Sequence, residues 1–269
     1  MIAWLSCASG VSGDMLLGAL VGAGVPVEVM AAAVDAVAPA PVELSVRRVE
    51  RSSLVATKVD VLGTESTTHR TWADVRSLLE PADVLGRDEA LATFAALARA
   101  EGAVHGCPPD DVHFHEVGAL DAIADVVGVC AGFAHLRQVH GLGEVVVSPV
   151  ALGGGHVRAA HGFLPVPGPA VVDLLSGRPT VGGPVDVELA TPTGAALLRT
   201  LATAWGYQPL MSVEEHGTGA GGRDLPDRPN VLRLLLGTPW SSARSAPAPV
   251  PEHHHAPAPV PSPSPAAVP

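Results

Sequence analysis

"IAWLSCASGVSGDMLLGALVGAG" (residues 2–24) carries the reading of the fold. Residues 2–7 are a short apolar run of strand character, "SGVSG" (9–13) is a Gly/Ser turn, and "DMLLGALVGAG" (14–24) has helical composition. Strand, small-residue loop and helix in that order open an α/β domain. Working outward, "PVEVMAAAVDAVA" (26–38) predicts a second helix with Pro26 near its start. "VELSVRRVERSSLVATKVDVLG" (42–63) is two β-rich runs flanking "ERSS", which predicts a hairpin. Residues 71–80 and 86–106 predict two more helices, the second with Leu91, Phe94, Ala95 and Ala98 on one face. A β-rich run covers 143–154, and a short helix covers 167–177, ended by Gly177. A further helix spans 191–202 with Thr191 as cap and Pro192 in its first turn, and a last strand spans 230–237. The hairpin demands antiparallel pairing beside the opening β-α unit. The expected fold class is therefore α/β, a mixed sheet with flanking helices over residues 1–238. Residues 239–269 are mostly Pro, Ala, Ser and Val, which predicts a disordered Pro-rich tail.

Charge narrows the possible guests. The chain holds 27 acidic against 16 basic residues, a net charge of −11, and no Lys/Arg cluster. That balance disfavours nucleic acid and anionic membranes and favours a cation. Aromatic residues make up 3%, too few for base-stacking platforms. Runs without a charged residue, such as Ala159–Val172, are short and broken by Gly, Pro or His, so no membrane span is expected. The N-terminus has no basic region ahead of its apolar stretch, and Cys7, Cys107 and Cys130 form no CxxC pair. Both observations lead to the expectation of a cytoplasmic protein with reduced thiols.

Six stretches concentrate reactive chemistry. In "HFHEVGALDAIADVVG" (113–128), His113 and His115 point to one side if extended, and Glu116 lies near a helix start. Asp121 and Asp125 are i and i+4 on that helix, where like charges repel unless a cation sits beside them. Imidazole and carboxylate together suit Zn, Ni, Mn or Fe; the competing reading is acids near a helix's positive end. In "SCASGVSGDM" (6–15), backbone N–H groups around Gly10 and Gly13 and the hydroxyls of Ser9 and Ser12 can face an anion. Asp14 in the first turn opposes that unless a metal bridges them; otherwise the stretch is a tight turn capped by Ser12 or Asp14. "LGGGHVRAAHGFLPVPGPA" (152–170) offers Arg158 as an anion clamp beside His156 and His161, or is a surface loop. "ELATPTGAALL" (188–198) puts Thr191, Thr193 and Gly194 at a helix start as a phosphate seat, while "EEHGTGAGGRDLPDRPNVLR" (214–233) surrounds Thr218 with glycines ahead of Arg223. For both, ordinary capping or loop chemistry is the simpler reading. "EHHH" (252–255) can bind Ni or Zn weakly.

Taken in order, "SGVSGDM", "HFHEVGALDAIADVVG", "HGFLPVPGPA", "ELATPTGAALL" and "GTGAGGRD…PNVLR" resemble the LarC family over about residues 2–237. The resemblance implies nickel insertion into pyridinium-3,5-bisthiocarboxylic acid mononucleotide, giving the nickel-pincer cofactor of lactate racemase and related enzymes. It implies a chelatase or cyclometallase of the lyase class that consumes CTP, with Mg or Mn. Family members commonly carry Asp where Ser6 stands, so a metal role in the first block rests on Asp14. They also continue into a C-terminal portion associated with CTP, joined in some by a ribosomal frameshift, and this chain resembles the N-terminal product. The implied partners are that C-terminal portion, fused or separate, the apo form of a nickel-pincer enzyme, and further copies of the chain in a homo-oligomer. The expected metal ligands are His113, His115, Glu116, Asp121 and Asp125. Ser9, Gly10, Ser12, Gly13, Arg158, Thr191, Thr193 and Gly194 are expected to hold substrate, and Asp14 and His161 to act in catalysis. The rival readings are a nickel storage or delivery protein scavenging through the tail, and a metal-dependent hydrolase of phosphorylated small molecules.

Overall fold

The computed structural model describes residues 1–63, 70–112, 114, 120–159, 162–183, 185–225 and 228–241. In chain order the elements are β1 (Ile2–Ser6), α1 (Gly13–Gly22), α2 (Val27–Val37), β2 (Val42–Arg51), β3 (Leu54–Gly63), α3 (Trp72–Leu79) and α4 (Arg87–His105). After a short 3-10 turn (Pro109–Asp111) come α5 (Leu120–His140), β4 (Glu144–Val147), β5 (Val150–Gly153), β6 (His156–Ala159), β7 (Gly162–Pro165), α6 (Pro169–Leu174) and β8 (Thr180–Gly182). The chain then forms α7 (Pro192–Leu201), β9 (Ala204–Trp205), β10 (Met211–Ala220) and β11 (Val231–Pro239).

Seven strands form one mixed sheet in the order β2-β3-β10-β11-β1-β4-β9. Pairing is antiparallel for β2 with β3, β10 with β11 and β11 with β1, and parallel for β3 with β10, β1 with β4 and β4 with β9. The expected α/β class and the 42–63 hairpin both stand. The hairpin turns at Ser52 and Ser53, both at positive φ, as the right-handed twist of two-residue turns requires. Side-chain alternation sorts the two faces. Ala3, Leu5, Val145, Val147, Leu232, Leu234 and Leu236 join the helices in the main core, while Ile2, Val146 and Met211 form a separate small cluster with Trp4 and Ala204.

The helix that follows the His/Asp run is longer than its motif. α5 reaches His140 and is apolar on most sides because it is buried on most sides. By length and composition alone it could cross a membrane, but it lies largely inside the fold, against α1, α2, α4 and α7. Gly128 and Gly132, one helical turn apart, let it close on Leu17 and Leu20 of α1 and on Met30 of α2.

One correction concerns "GTGAGG". Residues 214–220 belong to strand β10, so the simpler reading of this stretch as ordinary loop does not hold for them. Gly217 and Gly219 share the face that meets α1, and a Cβ on either would stand 1.9 Å from the Ala19 carbonyl oxygen or 1.8 Å from that of Met15. Gly18 and Gly22 answer from the helix, where added Cβ atoms would fall 3.0 Å from Gly219 Cα and 3.2 Å from Gly217 Cα. Four glycines thus let a helix backbone lie directly on a strand. "LGGGHVRAAHGF" is likewise not a plain loop: β6 and β7 pair as an antiparallel hairpin, with Arg158 opposite Phe163.

Gly219→Ala is expected to lower unfolding free energy by about 3 kcal/mol or more, since only backbone movement relieves the clash. Gly143→Ala, with nothing within 4 Å of the added atom, is the control and is expected to be near neutral. Urea denaturation of both variants makes the comparison.

Candidate functional site

Three helices begin at one place. The loop after β1 and the segment before α7 are stitched by two backbone bonds, Val11 N–H to Leu189 O at 2.9 Å and Thr191 N–H to Val11 O at 3.0 Å. Gly10, at φ 93°, admits the Leu189 carbonyl where any side chain would collide, and Gly194 does the same for the Val11 carbonyl. The first turns of α1 and α7 are thereby set side by side. The first two turns of α5 close the third side: a Cβ on Gly13 would lie 2.4 Å from Asp125 Oδ2. Between them is a cavity of about 270 Å³ lined by Ser12, Gly13, Asp14, Asp121, Ala122, Asp125, Glu188, Thr191, Pro192 and Thr193. A hollow of about 360 Å³ at the start of α4 is larger, but its Glu89 is bonded to Arg137 at 2.8 Å and it gathers no expected site residue.

The structure therefore brings Ser12, Gly13, Asp14, Asp121, Asp125, Thr191 and Thr193 together. Gly10 and Gly194 act one step behind the lining, as the close approaches that align it. Thr191 caps α7, its hydroxyl accepting the Gly194 N–H at 3.2 Å. Ser9 does not line the cavity, and Arg158 lies exposed on β6, away from the lining. His113, His115, Glu116, His161 and the tail with its "EHHH" fall outside the described residues. Among the described residues no cluster of three or more His, Cys, Asp or Glu has metal-ligand geometry on its own.

The carboxylates differ in how they are held. Asp14 is fully engaged: Oδ1 accepts the Ser12 hydroxyl and, at 2.8 Å, the Met15 N–H, while Oδ2 accepts Lys58 Nζ at 2.7 Å. Asp121 is exposed and accepts the neighbouring Ala122 N–H in the first turn of α5 at 2.8 Å. Asp125 is the outlier. Its Oδ1 is buried with no hydrogen-bond partner among the described residues. Burial, then the negative charges of Asp14 and Asp121, push its carboxyl well above the ordinary carboxylate range, with Lys58 pulling the other way. An orphaned buried carboxyl oxygen among two further aspartates is a place prepared for a cation or a proton. The helix N-termini favour an anion only beside a cation, because the Met15, Ala122 and Gly194 N–H groups are already taken by Asp14, Asp121 and Thr191 and four carboxylates line the cavity.

Two residues of this site were not singled out from the sequence, Lys58 and Glu188. Lys58 sits in β3, where its strand context drew attention to hairpin pairing. The available signal was composition: every other basic residue is arginine, and Lys58 is the only lysine in the chain.

Asp125→Asn is expected to raise the melting temperature of the metal-free protein at neutral pH by several degrees. A raised native pKa means the folded state binds the proton more tightly than the unfolded state. The carboxyl's contribution to stability therefore falls as pH rises above the unfolded value. The gain from Asn should shrink as pH is lowered toward about 4, the ordinary carboxylate pKa. Thermal melts across pH check both the sign and the window.

Comparison with known proteins gives a consistent answer. The family model described as nickel insertion protein matches residues 3–262. A pyridinium-3,5-bisthiocarboxylic acid mononucleotide nickel insertion protein of Nocardioides sp. is 61% identical over 239 residues, covering 88% of this chain and 60% of the relative. A protein of the same name from Geobacillus kaustophilus is 37% identical over 258 residues, covering 91% of this chain and 62% of the relative. The chain thus spans about 60% of the length of the curated relatives it matches. No solved structure matches it.

Proposed function

The chain belongs to the nickel insertion protein family, and from that premise we propose that it is the nickel- and substrate-holding portion of a protein that metallates pyridinium-3,5-bisthiocarboxylic acid mononucleotide. The observation that carries this reading is the convergence of three helix N-termini on one cavity that also contains an orphaned buried carboxyl. Such a cavity suits a phosphate and a dication at once, as this pairing of substrate and cargo requires.

Nickel is cargo in this scheme. Asp121 and Asp125 are its ligands on α5, with His113, His115 and Glu116 on the segment just before that helix. Oxygen and imidazole donors hold nickel until the softer thiocarboxylate sulfurs of the substrate displace them. Ser12, Gly13, Thr191 and Thr193 receive the phosphate, whose charge the α1 and α7 dipoles favour. Formation of the nickel–carbon bond releases the ring proton, and Asp14 or His161 takes it. Asp14 is already held by three donors, which makes His161 the better proton acceptor and leaves Asp14 as a fixed carboxylate beside the metal. CTP use, with Mg or Mn, is assigned to the part of the relatives' length that this chain does not span. The chelatase or cyclometallase activity of the lyase class, maturation of lactate racemase-type enzymes and any homo-oligomer belong to this same proposal.

Equilibrium dialysis of the full chain with nickel provides the test. About one equivalent is expected to bind. His113→Ala with His115→Ala should weaken binding at least tenfold, and deletion of 252–255 should leave it unchanged. Binding that survives the double histidine change but vanishes with the tail would mean storage or delivery through the tail instead.

A further inference from the structure

A site that hands its metal on must not hold it too well, and the structure contains a device suited to that. Resting on the nickel reading above, we propose that Lys58 is a resident counter-ion of the carboxylate cavity. Its ammonium occupies Asp14 when the metal is absent, and its charge keeps a bound dication weakly enough held to be transferred.

Lys58 is a poor candidate for an incidental ion pair. It is the only lysine in the chain and it is 6% exposed. Its ammonium is satisfied by three oxygens: Asp14 Oδ2 at 2.7 Å, the Val59 carbonyl at 3.1 Å and Asp60 Oδ1 at 3.5 Å. Asp60 is itself engaged by Arg47 at 2.6 Å. The carboxylate left for Lys58 to balance is therefore Asp14, which lines the cavity. The Lys58 backbone is also fixed, because its neighbour Thr57 pairs with Gly219 and lends its carbonyl to the close approach of Gly18.

The two oxygens of Asp14 have separate tasks. Oδ1 is tied to the start of α1 by the Ser12 hydroxyl and the Met15 N–H, which sets the carboxylate plane. Oδ2 faces Lys58, and it is the atom for which an entering cation and the ammonium compete. A dication placed against Asp121 and Asp125 is also repelled by Lys58, whose charge acts on Asp125, within a partly desolvated site where such repulsion is felt strongly. Asp14, Asp121 and Lys58 all act on the Asp125 carboxyl, Lys58 in the opposite sense to the two aspartates, so each lies within electrostatic range of Asp125. Lys58 is thus a positioning residue. It does not ligate the metal; it sets how firmly the carboxylates do.

The direction of the effect separates this role from a structural one. Lys58→Met in the full chain is expected to bind nickel at least tenfold tighter, measured against a competing chelator, and to release it to excess EDTA correspondingly more slowly. Lys58→Arg, which returns the charge, should bring affinity and release back toward wild type. Circular dichroism establishes that each variant is folded. A folded Lys58→Met protein with unchanged or weaker affinity overturns the proposal. If Lys58→Met does not fold, Asp14→Asn decides: an uncompensated ammonium should weaken nickel binding more than tenfold, and wild-type affinity in that variant refutes the idea. Asp121→Asn with Asp125→Asn is run alongside. Full nickel binding in that double variant means the cavity is not the nickel site, so the functional reading fails independently of Lys58.

Discussion

The close contact of α1 with β10 and β3 fixes everything at the site. Gly18 and Gly22 on the helix meet Gly217 and Gly219 on the strand, and the Thr57 carbonyl touches the helix at Gly18. Side chains at these positions would push the helix away from the sheet. With the helix close, Asp14 at its first turn comes within reach of Lys58, one residue beyond Thr57. Its Gly13 also meets α5 with no side chain between them, so that Asp125 lies against the α1 backbone. A contact made entirely by residues with no side chain thus determines the spacing of the charged ones.

Electrostatics then explains why acidic residues gather where the fold is densest. Helix N-termini carry partial positive charge and unpaired N–H groups, so aspartates in a first turn are locally favourable. Asp14 and Asp121 use that benefit fully, each accepting a backbone N–H at its own helix start. Asp125 lies a turn deeper, where the dipole helps less and no donor among the described residues reaches Oδ1. Burying that carboxyl costs stability, and no donor among the described residues offsets the cost at Oδ1.

Much of this was legible in the sequence, unevenly and for physical reasons. Periodicity located β1, α1, α2, the β2–β3 hairpin, α3, α4 and α7, because each has one buried face or a clear turn. The i, i+4 spacing of Asp121 and Asp125 placed both on one helix, yet only packing shows that the first is exposed and the second is pressed on Gly13. Glycines were the hardest residues to read. In "GTGAGG" they read most simply as loop residues, whereas two of them serve a helix–strand contact whose other half lies about two hundred residues earlier. A glycine's meaning depends on its partner, and periodicity carries no information about partners that distant. Lys58 was missed for the related reason that an ion pair between a strand and the start of a helix leaves no local pattern.

The same limit bears on how the site would work. Holding a cation and giving it up are opposite demands, and a cage of carboxylates alone meets only the first. A buried ion pair is weak as a source of stability, because desolvating both charges offsets most of their attraction. It is effective as a switchable contact, because the carboxylate it occupies is already ordered and partly dry. Asp14 is kept oriented by Ser12 and Met15 whether or not Lys58 is the cation in front of it. Exchange of partners at Asp14 Oδ2 therefore requires little rearrangement of the backbone. The glycine contact that holds α1 on the sheet supplies that rigidity, so on the proposed reading metal exchange would be a local substitution of one cation for another within a fixed frame.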